Sequence, residues 1–191
     1  MTIGRLAVYC GSAEGNDPAF RDAAVDLART MAAAEIDLVY GGGRLGLMGV
    51  MADTMLQAGG QVYGVIPQAL VDKEVAHLGL TELHTVDTMH ERKAKFTELS
   101  DGFVCLPGGI GTLDELFEAW TWNALGYHAK PFCLLNVNDF WSPLGDFMDH
   151  VRDAGFLSHA RRGQLMTART PAEAITMLEN AAANANQGMV W

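Results

Sequence analysis

The stretch Leu106-Pro107-Gly108-Gly109-Ile110-Gly111-Thr112-Leu113-Asp114-Glu115 joins an apolar run to a helical one through a glycine loop of a size to hold a phosphate. Residues 102–106 read as a short buried strand, while Leu113, Leu116, Phe117, Trp120 and Ala124 recur at helical spacing. The glycines therefore fall between strand end and helix start, where backbone N–H groups can converge on an anion and the helix dipole adds partial positive charge. The loop lacks the Lys-Ser/Thr ending of a P-loop and the three-glycine spacing of a dinucleotide fingerprint, so it points to a nucleotide site of another kind. Thr112 and Glu115 also satisfy T-x-x-E, the pattern of a capping box. That spacing leaves Glu115 open to a capping role, a catalytic role, or both. Asp114 and Glu118 are expected to serve the helix dipole or solvent.

The densest positive charge, His90-Glu91-Arg92-Lys93-Ala94-Lys95, opens the preceding helix. Such a run is usually a solvated face. Arg92, however, lies one strand before the glycine loop, within reach of the same crevice, and its planar cation suits phosphate, purine or carboxylate. Gly41-Gly42-Gly43-Arg44-Leu45-Gly46 matches G-x-G-x-x-G literally. It falls in the second strand-helix unit, and the strand about 20 residues on ends in Ile66-Pro67-Gln68 without an acid for a ribose, so a glycine turn with close backbone approach is the better reading. The six histidines show no metal-ligand spacing, and there is no G-x-S-x-G elbow. Neither metal nor cofactor is expected.

Strand-like and helical runs alternate along the chain. Residues 6–10 form a first strand, and Asp17-Pro18 is an N-cap and N1 pair opening a helix whose buried face is Phe20, Ala24, Leu27 and Met31. Strand 36–40 leads through the Gly41 turn into a helix near 47–58, closed by Gly59-Gly60, then a strand at 61–66. Later units place strands at 82–86, 102–106 and 132–135, with helices at about 88–99, from Thr112, and near 143–154. An edge strand at 164–167 and a helix at about 171–183 follow, and residues 184–191 read as a loose tail. Alternation of this kind predicts an α/β fold, a Rossmann-like doubly wound parallel sheet with helices on both faces. Ligands bind such sheets beyond the carboxyl ends of the strands, and three glycine turns lie there: Gly11-Ser12, Gly41 to Gly46, and Gly108 to Gly111.

At 191 residues and 49% hydrophobic content, one nucleotide-binding domain is expected over residues 1–191. The formal charge of -10 disfavours nucleic acid and anionic membrane as partners. No signal core or membrane-length run is present, so the chain reads as cytoplasmic. Cys10, Cys105 and Cys133 sit in apolar stretches and are expected to be buried, reduced thiols.

Taken together, Val8-Tyr9-Cys10-Gly11-Ser12, Gly41 to Gly49, Met89-His90-Glu91-Arg92-Lys93-Ala94 and the Pro107 to Glu115 loop resemble the LOG family of cytokinin riboside 5′-monophosphate phosphoribohydrolases. The likeness covers most of residues 6–157. It implies that Arg92 and Glu115 are the catalytic pair and that Gly108, Gly109, Ile110, Gly111 and Thr112 cradle the 5′-phosphate. It also implies that Ser12, Gly43, Glu74, Met89, Lys93 and Thr121 help to place the nucleotide, and that the protein is a homodimer. Ile110 stands where plant members carry an aromatic, and Asp114 replaces a Glu. The family is often mislabelled lysine decarboxylase, an activity this chain does not support, since no lysine stands in a recognisable pyridoxal phosphate setting. An alternative of a different class is a carrier of the molybdenum cofactor, which shares the fold and a similar loop and would bind a phosphorylated ligand without hydrolysing it.

Overall fold

The computed structural model describes residues 3–71 and 76–187. Among them, short apolar runs become seven strands: β1 (Arg5–Tyr9), β2 (Asp37–Tyr40), β3 (Val62–Pro67), β4 (Glu82–Val86), β5 (Gly102–Cys105), β6 (Phe132–Leu135) and β7 (Leu165–Ala168). Every neighbouring pair is parallel, in the order β4-β3-β2-β1-β5-β6-β7. The chain steps outward from β1 to β4, returns to the far side of β1 as β5, and steps outward again. That reversal opens a crevice beyond the carboxyl ends of β1 and β5.

Helices α1 (Pro18–Ala33), α2 (Gly46–Gln57) and α8 (Pro171–Gln187) cover one face, while α4 (Met89–Leu99), α5 (Ile110–Ala124) and α6 (Ser142–Asp153) cover the other. The pleat of β1 shows how one strand serves both layers: Leu6 and Val8 join the core under α1 and α2, and Ala7 and Tyr9 join that under α4 and α5. Leu47, Met51 and Met55 bury one flank of α2 completely, each worth about 1.5–3 kcal/mol of apolar burial. Asp17 caps α1, accepting from the Ala19 N–H at 2.9 Å with Pro18 at the first helical position. All three cysteines are free and buried. Among the described residues no helix is long and apolar enough to cross a membrane.

The structure corrects several local readings. Helix α5 begins at Ile110 with Gly109 as an N-cap that offers no side-chain bond, so Thr112 and Glu115 lie inside the helix and form no capping box. A capping box exists instead at Thr88 and Glu91: Thr88 accepts from the Glu91 N–H at 3.1 Å, and Glu91 reaches back to the Thr88 N–H at 3.4 Å. Helix α8 runs on to Gln187, past Ala183, because residues 181–187 are alanine-rich and hold neither glycine nor proline. Residues 188–191 lie outside the described residues. Two helices of four and five residues, α3 (Gln68–Val71) and α7 (His159–Gly163), are too short to show a period in sequence.

Candidate active site

Three loops close on the crevice. The Gly11 N–H donates to the Pro107 carbonyl at 3.1 Å, tying the turn after β1 to the turn after β5. A side chain at Gly108 would overlap Thr112 and press on the Gly11 N–H, so this glycine lets the two turns meet. The turn after β2 completes the site. Together they enclose a cleft of about 420 Å³ that includes Cys10, Ser12, Gly43, Arg92, Glu115 and residues 109–112 in its lining.

Arg92 comes from the first turns of α4 and lines the floor, 8% exposed. Its Nε donates to the Val65 carbonyl at 3.1 Å and its Nη2 to the Gly41 carbonyl at 3.3 Å. Those two bonds fix the plane of the guanidinium and leave Nη1 beside Glu115 Oε1 at 3.5 Å. Gly41 is bare for a reason: a Cβ there would overlap Arg92 Nη2 and touch Met48. Glu115, in the second turn of α5, is nearly as buried. Burial raises its pKa to about 7, with Arg92 and Lys93 opposing and Asp114 and Glu118 assisting the rise. A carboxyl that titrates near neutrality can both carry charge and exchange a proton at working pH.

The rim opposite Arg92 is the start of α5. Leu113 makes its helical bond back to Gly109, and no side chain caps the first turn, so the N–H groups of residues 110–112 lack intrahelical acceptors at the edge of the cleft. Gly109 and Gly111 have nothing within 4 Å of where a Cβ would stand. Leu45, Met48, Ile66 and Leu70 form an apolar wall. Sequence reasoning did not single out these four. Leu45 and Met48 were nevertheless inside the quoted Gly41 to Gly49 stretch, whereas Leu70 sits on α3, which gave no signal.

Not every expected residue meets here. Met89 is 45% exposed and touches Arg92 through its sulfur, 3.9 Å from Nη1, without lining the cleft. Lys93 turns to α5 instead, 2.8 Å from Asp114 Oδ2 and 3.1 Å from Glu118 Oε2, so both carboxylates hold a lysine, Asp114 from a position that also faces solvent. Thr121 lies along a separate apolar groove with Phe117, Trp120 and Leu157. Glu74 lies outside the described residues.

A family profile described as possible lysine decarboxylase matches residues 48–178. The cytokinin riboside 5′-monophosphate phosphoribohydrolase LOG of Oryza sativa subsp. japonica is 43% identical over 187 residues, spanning 98% of this chain and 77% of that protein. This chain belongs to the LOG family. A LOG relative from Rhodococcoides fascians, also a cytokinin riboside 5′-monophosphate phosphoribohydrolase, is 42% identical and covers 92% of this chain and 89% of its own. Among solved structures, a structural-genomics target aligns with a TM-score of 0.69 at 27% identity, covering 94% of this chain and 99% of that one. The molybdenum cofactor binding protein of Rippkaea orientalis aligns with a TM-score of 0.71 over 94% of this chain and 98% of its own, but at 20% identity it shares with this LOG chain the fold alone.

Proposed function

We propose that this protein hydrolyses the N-glycosidic bond of adenosine 5′-monophosphates, including N6-substituted ones, releasing free base and ribose 5-phosphate. The observation that carries the reading is the buried Arg92–Glu115 pair on the floor of a cleft whose rim is an uncapped helix start. The 5′-phosphate is held by the N–H groups of residues 110–112 and by the dipole of α5, with Gly109 and Gly111 leaving room for it. Ser12 and Gly43 border the nucleotide. Leu45, Met48, Ile66 and Leu70 offer an apolar surface suited to a base with an N6 hydrocarbon group.

As the C1′–N bond breaks, positive charge gathers on the ribose, and the Glu115 carboxylate stabilises it. Glu115 takes a proton from the attacking water, whose oxygen bonds to C1′, while the base leaves with the bonding pair and takes a proton from solvent, to which Glu115 then returns its own. Arg92, immobilised by two backbone carbonyls, fixes the orientation of Glu115. Binding energy from the phosphate is thereby used to orient the reacting carbon. Among the described residues a Schiff-base role for lysine fits poorly, since Lys93, Lys95 and Lys130 are each engaged by protein oxygens.

Base release from N6-isopentenyladenosine monophosphate, AMP and adenosine, followed chromatographically, tests the proposal. Both nucleotides should release base, and adenosine should do so at least about 10²-fold more slowly. Equal rates with adenosine would remove the phosphate assignment, and binding without release would favour a carrier. The reading includes a homodimer, supported by the apolar groove that Phe117, Trp120, Ala124 and Leu157 line beside Thr121. Sedimentation should give twice the chain mass for the wild type and the chain mass for Ala124→Glu.

A further inference from the structure

Among the described residues four charged side chains act on Glu115: Arg92 and Lys93 from α4, and Asp114 and Glu118 from its own helix. Glu118 follows Glu115 by three residues and Asp114 by four, so on the surface of α5 it neighbours both. Lys93 Nζ joins Asp114 and Glu118 at 2.8 and 3.1 Å, with its side chain only 16% exposed. Among the described residues the remaining titratable neighbours are Tyr9 and Cys10 from the β1 end and Cys105 from β5, all held neutral by burial at physiological pH. Two cations thus balance two carboxylates around the reacting one.

We propose that Lys93 is a positioning residue that keeps Asp114 and Glu118 neutralised around Glu115, so that Glu115 works as a carboxylate at neutral pH. The inference rests on the glycosidase reading of the cleft and departs from a direct hold on the nucleotide. Lys93 follows Arg92 in sequence, so one turn of α4 supplies both cations, one to the reacting carboxylate and one to its flanking acids. Although burial opposes it, the hydrogen bonds that Lys93 donates to Asp114 and Glu118 hold its ammonium above the ordinary pKa, so the cation persists across the working range. Without Lys93, two uncompensated carboxylates would oppose ionisation of a group in a low-dielectric site.

The test is an NMR titration of protein labelled with 13C at the glutamate carboxyl carbons, with the Glu115 signal assigned by its loss in Glu115→Gln, alongside the pH profile of kcat/KM. In Lys93→Gln, Glu115 should titrate about one pH unit higher, and the acid limb should move with it. Activity should then fall about tenfold at pH 6.5 and recover in alkali. Adding Glu118→Gln should bring both midpoints back towards the wild type. An unmoved Glu115 titration overturns the proposal, whether the loss appears as a raised KM at every pH, meaning contact with nucleotide, or as a uniform loss in kcat, meaning a clamp between helices. Should Lys93→Gln fail to fold, Glu118→Gln alone must lower the Glu115 midpoint, and no shift would equally overturn it. Failure of the glycosidase reading is seen separately, as absent base release by wild-type protein whose Glu115 still titrates as expected.

Discussion

The turn after β2 and the turn after β5 are both glycine-rich and both border the cleft, yet their glycines answer different needs. In the first turn and the start of α2 that follows it, a Cβ at Gly41 would strike Arg92, one at Gly46 would overlap the Ser12 carbonyl, and one at Gly49 would overlap Arg44. These glycines let protein approach protein. In the second turn Gly108 plays that part, but Gly109 and Gly111 face open space. Emptiness there is left for a ligand. Similar glycine patterns in sequence thus encode a packing joint in one place and a binding surface in the other.

The sharpest way to break this contrast is Gly46→Ala. Gly46 has φ +60 and its Cβ would overlap the Ser12 backbone, so strain and crowding should together cost about 3 kcal/mol, read from the urea midpoint. An unchanged midpoint would show that the first turn is not a packing joint. On the other side of the cleft, Glu115 should reduce stability at neutral pH. Its pKa, about 7 in the fold, exceeds the ordinary carboxyl value of about 4.3, so between those limits the folded state binds more protons than the unfolded chain. Stability should therefore fall as pH rises from about 4.5 to 7 and level off above, by a change on the order of 3 kcal/mol that Glu115→Gln removes. Parallel pH curves for the two proteins would contradict this.

Arg92→Lys should lower kcat/KM by about 10²-fold although charge is kept, because an ammonium cannot face the Val65 and Gly41 carbonyls and Glu115 in one fixed plane. Near-normal activity would reduce Arg92 to a buried packing residue with no part in the chemistry. The mildest substitution sharpens the contrast most. Gly111→Ala should leave the fold as stable or add up to about 0.5 kcal/mol, while AMP binds roughly tenfold more weakly, about 1.4 kcal/mol, by calorimetry. Loss of stability with normal affinity would assign Gly111 to packing.

Much of this arrangement was legible in the chain. The bounds of β4 and β6 follow directly from apolar runs, and the three glycine turns meet where a switch in strand order requires. Arg92 and Glu115 are signalled by their motifs, and the structure brings them to 3.5 Å. What escaped depended on contacts distant in sequence or on competition between equal local signals. T-x-x-E occurs at Thr88, Thr112, Thr170 and Thr176: Thr88 caps α4 and Thr170 accepts from the Glu173 N–H at 3.2 Å where α8 begins, whereas Thr112 does not cap because α5 starts two residues before it. The partners of Lys93 lie a strand away on α5, and no periodicity points to them. Thr121 follows Trp120 into a separate groove because helical spacing turns it away from the face that bears Glu115.

Glu115→Gln, assayed for AMP affinity and adenine release on one preparation, tests the central claim most directly. Glutamine keeps the shape of the protonated side chain but cannot hold charge or accept the water's proton. The account predicts a folded variant with AMP affinity close to the wild type and base release lower by about 10²-fold or more. A variant that binds AMP and releases adenine at the wild-type rate would contradict it.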